Sequence, residues 1–334
     1  MSSHVSLSIL PLAAAQPIPL LRIPSHLCTV YAYKPLKWLL FCGFALSGSE
    51  GTLHQGLDHD LVDLDAQDVV PEGHYVYHLS GEMSLFDYRL RPLPRPELDE
   101  VAEWEVWREA PSNEALVEDV LAVRGRDCPS MRHNLCEAFH IIPEVKGDQY
   151  MEQLCRRRGG GHPIIGINDL RNMLVTGSSM YSYFDGLRLA FIKTPNFALQ
   201  TNEIRACSSA NAREDYCLTS HVFATALEGH IGGFNGRASS LERLPSRGGD
   251  VANGTESAAT YRPPDFILNY VYASHLYESF GIKDDISDAV MEASRQMYTE
   301  GRQPEDEDNR MQAKMRWKRG QHSGRITSGS RIEY

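Results

Sequence analysis

Cys136-Glu137-Ala138-Phe139-His140-Ile141-Ile142-Pro143, followed further along by Asn168-Asp169-Leu170-Arg171-Asn172, is the stretch whose reading decides the fold. The run from Phe139 to Ile142 predicts a short buried strand, and Pro143 ends it because proline cannot donate to a ladder. One histidine enters that strand. An imidazole titrates near neutrality, so His140 on a rigid strand suits a general base, and an amide such as Asn172 on a separate short element suits its orienting partner. Taken alone, each residue has a simpler reading. A single histidine on an apolar strand fits a satisfied core side chain, and a lone asparagine fits a turn.

Working outward, residues 48–123 carry 18 acidic side chains against four arginines and no lysine, whereas residues 124–193 carry ten basic side chains against seven acidic ones. The histidine and asparagine therefore sit in a basic island within a chain of formal charge −11. Such an island suits a segment that touches phosphate, although the overall charge argues against bulk coating of nucleic acid. With 334 residues and 42% apolar content, the chain is long enough to bury a substantial core in two or three compact units. Seven cysteines, scattered and without a C-x-x-C pair, predict free thiols in a reducing compartment rather than zinc knuckles or a disulfide framework. Cys128 and Cys136 bracket Arg132-His133-Asn134 and read as thiols of a hairpin. The apolar run Trp38 to Leu46 is well short of the roughly 20 residues of a membrane span and predicts a buried strand or short helix.

Residues 1–29 read as a flexible leader, rich in Ser, Ala and Pro and lacking the charge pattern of a signal peptide. The chain is expected to be intracellular, with nucleus and cytoplasm both open. Residues 30–105 read as an acidic, β-rich module. In it Gly73-His74-Tyr75-Val76-Tyr77-His78-Leu79 alternates like a strand, and Arg89-Leu90-Arg91-Pro92-Leu93-Pro94-Arg95-Pro96 makes an extended linker. Ser112 is placed to cap a helix reaching Val123. Residues 206–300 read as a Gly- and Ser-rich loop followed by helices, the first opened by Pro263-Pro264 and stopped by Gly281. Residues 301–334 read as a disordered tail of mixed charge, with the basic cluster Lys314, Arg316, Lys318 and Arg319.

The block around His140 resembles the HNH (ββα-metal) endonuclease family, and most closely its fungal branch. The likeness runs through Ile141-Ile142-Pro143, Lys146-Gly147-Asp148, Arg171-Asn172-Met173-Leu174, Phe184-Asp185 and Leu189-Ala190-Phe191-Ile192-Lys193-Thr194-Pro195-Asn196-Phe197-Ala198-Leu199. Lys34-Pro35-Leu36-Lys37-Trp38-Leu39-Leu40-Phe41-Cys42-Gly43 and the closing Pro263 to Gly281 segment are similar to the same proteins. The resemblance implies an α+β fold with a ββα-metal core over residues 106–205, between the β-rich N-terminal module and a helical C-terminal segment. It further implies hydrolysis of nucleic-acid phosphodiesters, DNA in the first instance, with one divalent cation (Mg, Mn or Zn) and no small-molecule cofactor. His140 matches the base and Asn172 the asparagine that steadies the loop around it.

In many HNH nucleases an Asp or His beside the base is a metal ligand, though the fungal branch commonly has alanine there, and a histidine on the following helix is another. Here those places hold Phe139 and Tyr181, and a neutral phenol is a poor ligand for such ions. Asp169 and Asp185 are the nearby acids able to offer oxygen to a hard cation, and each equally suits a turn. Lys146, Arg156, Arg157, Arg158 and Arg171 are the candidate nucleic-acid contacts. The alternative reading is a degenerate scaffold that binds nucleic acid or protein without cutting. A third is a protein-interaction domain that uses the acidic module.

Overall fold

The fold is described from a computed structural model of the chain, over residues 3–12, 14, 16–56, 60–67, 70–90, 136–159, 164–205, 217–223, 238–239 and 262–299. These residues form a mixed α+β architecture. Strands β1 (His4–Leu10) and β2 (Ile18–Pro24) lead into helices α1 (Ser25–Tyr31) and α2 (Pro35–Ser47). Strands β3 (Gly51–Gln55), β4 (Asp60–Leu61) and β5 (Gly73–Leu79) then complete a five-stranded sheet of order β2-β1-β5-β3-β4. Within it β1 and β5 run parallel and the other pairs antiparallel.

The expected leader is thus corrected. Residues 4–10 and 18–24 are strands, because Val5, Leu7 and Ile9 alternate onto one face and are fully buried. Trp38 to Leu46 is helix. Pro35 lies in the first turn of α2, where a missing N–H costs nothing, and Gly48 closes it in a left-handed conformation (φ 71°). α2 is buried nearly all round and passes close to the sheet. A Cβ on Gly43 would stand 2.4 Å from Tyr77 Cγ, so only glycine fits there.

The second region starts with β6 (Cys136–His140). Helix α3 (Gly147–Arg158) follows, then β7 (Met173–Gly177), which pairs antiparallel with β6 to put His140 opposite Met173 and Phe139 opposite Leu174. Helix α4 (Ser178–Asp185) leaves β7 directly. Strands β8 (Leu189–Thr194), β9 (Cys217–Val222) and β10 (Ala238–Ser239) form a three-stranded sheet of order β10-β9-β8. Two helices close the described chain, α5 (Asp265–Phe280) and α6 (Asp285–Thr299). The expected closing helix and its stop at Gly281 are present, with Pro264 as the N-cap.

The regions separated on paper share one apolar core, which takes residues from β1, α2, β5, β6, α3, β8 and α5. Polar ties cross the expected boundaries as well. Trp38 Nε1 donates to the Tyr272 hydroxyl at 2.8 Å, and that hydroxyl lies 2.7 Å from His221 Nδ1. Cys28, Cys42, Cys155 and Cys217 are free thiols, and burial pushes Cys28 up to about 12, which makes it inert. No described helix is long and apolar enough to cross a membrane. The expected linker from residue 91, the helix from Ser112 to Val123, Cys128 and the tail 301–334 lie outside the described residues. So does the expected 229–262 loop apart from β10 and Arg262.

Candidate functional site

β6 and β7 form a hairpin whose far end carries both candidate residues. His140 is the last residue of β6, and Asn172 directly precedes β7 in a single 3-10 turn, Leu170–Asn172. Both are fully buried. The Asn172 side chain makes three hydrogen bonds, all of them to backbone. Its Nδ2 donates to the carbonyls of Ile142 (3.0 Å) and Ile167 (2.8 Å), and its Oδ1 accepts from the Ile142 N–H at 2.9 Å. The Asn172 carbonyl also accepts from Ile141 at 2.7 Å. Asn172 therefore fixes the chain just beyond the histidine.

His140 Nε2 lies 2.9 Å from Asn168 Oδ1. An amide oxygen only accepts, so Nε2 carries a proton and donates it to Asn168. Asn168 is exposed, so the imidazole lies one side chain beneath the surface. Nothing in the sequence marks Asn168 for this role, since an Ile-Asn-Asp turn gives no hint of a partner on a strand distant in sequence. The loop that carries it is held by Asp148, whose Oδ1 accepts from the Ile167 N–H at 2.7 Å.

Position 139 and position 181 converge. The Phe139 and Tyr181 rings stand 4.8 Å apart at 37°, both buried, and Phe184 joins them 5.0 Å from Phe139. Where the resemblance expects metal ligands, the chain has an aromatic cluster.

Of the two candidate acids, Asp169 is committed to its own turn. Asp169 accepts from the Arg171 backbone and Nε, both at 2.9 Å, from Arg171 Nη2 at 2.6 Å and from the Ile165 N–H at 3.3 Å. Burial opposes its ionisation, but these donors outweigh burial and hold the carboxyl below its usual range. Its oxygens are committed to the turn. Asp185 is the half-buried last residue of α4. Among the described residues no group of three His, Cys, Asp or Glu side chains is placed to share an ion.

Of the five candidate nucleic-acid contacts, three are corrected. Lys146 is buried and paired at 3.1 Å with Asp87, and it also donates to the Arg89 carbonyl at 3.0 Å. Arg158 donates to the carbonyls of Ala45 and Leu46, both at 2.7 Å, and to that of Ser84, tying α3 to the N-terminal region. Arg171 is bound to Asp169. In each case a partner within the fold already holds the cation. Arg156 and Arg157 remain exposed, the former in an (i, i+4) pair with Glu152 and the latter with its guanidinium 5.9 Å from the Tyr298 ring centre.

No family model matches this chain, and neither the curated proteins nor the solved structures give a match.

Proposed function

We propose that this chain is an HNH-like ββα scaffold that binds nucleic acid without hydrolysing it. β6, β7 and α4 supply the two strands and the helix, and Arg156 and Arg157 of α3 supply the exposed cations. The observation that carries this reading is the Phe139–Tyr181 stack. The two positions from which the resemblance draws metal ligands lie side by side, so the scaffold geometry suits the family, yet both are filled by rings that coordinate no hard cation. His140 beneath Asn168 then works as an internal lock between strand and loop, because a water nucleophile must touch the base it is to lose its proton to.

One observation favours a second reading, a divalent-metal-dependent phosphodiester hydrolase with His140 as base. Asn172 grips the loop beyond His140, so the strand end that carries the imidazole is held rigid, as positioning a general base requires.

The two separate in one experiment. Purified full chain is incubated with plasmid DNA and Mg²⁺, Mn²⁺ or Zn²⁺, while retention of short duplex and single-stranded DNA is followed against salt. The binding reading expects no nicking, salt-sensitive retention, and a salt slope reduced by about one in each of Arg156→Ala and Arg157→Ala. Nicking abolished by His140→Ala overturns it in favour of the hydrolase. Absence of both retention and nicking overturns both.

A further inference from the structure

On the five-stranded sheet, remote in sequence from the β6–β7 hairpin, two histidines are pressed together. Register places His54 of β3 opposite Val76 of β5, and Thr52 opposite His78. Side chains two apart share a face of a strand, so Thr52, His54, His74 and His78 all stand on the side away from Leu53, Tyr75 and Tyr77. The rings of His54 and His78, diagonal neighbours across the two strands, have centroids 4.2 Å apart and planes inclined at 33°. Both are half-buried, hence within reach of solvent. Thr52 Oγ1 lies 2.9 Å from His54 Nε2.

We propose that His54 and His78 form a two-imidazole site for a nitrogen-preferring divalent cation of the zinc, nickel or copper class. Such ions take imidazole nitrogen at roughly 2.0–2.1 Å, a span that two rings already in contact reach by turning about their Cβ–Cγ bonds. Strand pairing fixes the Cβ separation in advance, so little backbone freedom is lost on binding. Water completes the coordination. The Thr52 hydroxyl supplies the outer partner that a ligating histidine usually has on its other nitrogen, and it orients the His54 ring. Hard cations such as Mg²⁺ and Ca²⁺ are not expected, since they call for oxygen. The bound ion cross-links β3 to β5 and stabilises the fold by mass action. The site is independent of the proposed nucleic-acid function.

The test titrates the metal-free full chain with Zn²⁺ by calorimetry and with Cu²⁺ by electron paramagnetic resonance. Thermal unfolding is followed with and without Zn²⁺. Expected are one Zn²⁺ per chain lost or weakened about tenfold or more in both His54→Gln and His78→Gln, a milder loss in Thr52→Val, and no change in His74→Gln. Cu²⁺ should bind more tightly, in keeping with the order of divalent affinities, and its spectrum should show two equatorial imidazole nitrogens. The spectrum needs no variant, so a misfolded substitution does not protect the proposal. Absence of binding, equal binding in wild type and both variants, or a Cu²⁺ spectrum without imidazole nitrogen overturns it. The rings are then only an aromatic contact.

Discussion

Asn172 holds Ile142 by both of its backbone groups, donating to the carbonyl at 3.0 Å and accepting from the N–H at 2.9 Å. The pair turns a side chain into a two-pronged splint across the exit of β6, and a third bond to the Ile167 carbonyl extends the splint to the loop carrying Asn168. Removing it strands buried backbone groups without water. Asn172→Ala should therefore destabilise the fold by about 2–4 kcal/mol. Asn172→Asp should also destabilise it, because a carboxylate accepts from Ile142 but cannot donate to either carbonyl. Urea unfolding measures both, and a loss below roughly 1 kcal/mol for the alanine variant would show that the splint is dispensable.

How far such contacts were legible in the sequence differs from element to element. At the end of the β6–β7 pair, Ile-Ile-Pro and Arg-Asn are local patterns, but the strand expected to reach Ile142 stops at His140, because Ile141 and Ile142 bond to Asn172 instead of continuing the ladder. The strand character of His4–Leu10 was present in the alternation of Val5, Leu7 and Ile9, but Pro11, Pro17 and Pro19 and the small residues between them obscured it. Its parallel partner β5 is far along the chain, a pairing no local pattern states. For Trp38 to Leu46, Pro35 and Gly48 as end signals distinguish helix from strand where an apolar run alone does not. The roles of Lys146 and Arg158 were illegible, since each depends on partners brought near only by the finished fold.

The Lys146–Asp87 pair, both side chains almost wholly excluded from water, is the clearest of these. Tyr150 donates to the same Asp87 oxygen at 3.1 Å, and its own oxygen lies 2.6 Å from that of Tyr270. Asp87→Asn leaves the ammonium buried without its counter-charge and should cost about 3–5 kcal/mol. Replacing both, as Asp87→Leu with Lys146→Met, should cost less than either single change, since no buried charge is then orphaned. A double-mutant cycle by denaturant unfolding reads this directly. Additive losses would show that the two charges do not depend on each other.

His221 should make the protein sensitive to acid. It lies fully buried in β9 against the Tyr31 ring, and burial lowers its pKa from the ordinary 6.5 to about 3. Between those values the unfolded chain takes up a proton that the folded chain refuses, so protonation favours unfolding. The stability loss begins as pH falls through the unfolded value and stops growing below about 3. Its full slope is about 1.4 kcal/mol per pH unit. Unfolding free energies at pH 4 to 7 should fall less steeply in His221→Gln than in the wild type. Parallel curves would assign the acid sensitivity to other groups.

Asn168 decides whether His140 can meet solvent. The buried imidazole is joined to an exposed amide at 2.9 Å, so that side chain covers Nε2. Asn168→Ala removes both the cover and the acceptor that fixes the ring. Carbethoxylation of His140, followed by mass spectrometry of the digested chain, should be slow in the wild type and several-fold faster in the variant. Asn168→Asp should keep both the cover and an acceptor oxygen beside Nε2. The slow carbethoxylation should then persist. Unchanged modification in Asn168→Ala would place the barrier elsewhere in the packing around β6. Asn168 would then be a surface residue that touches the imidazole without governing it.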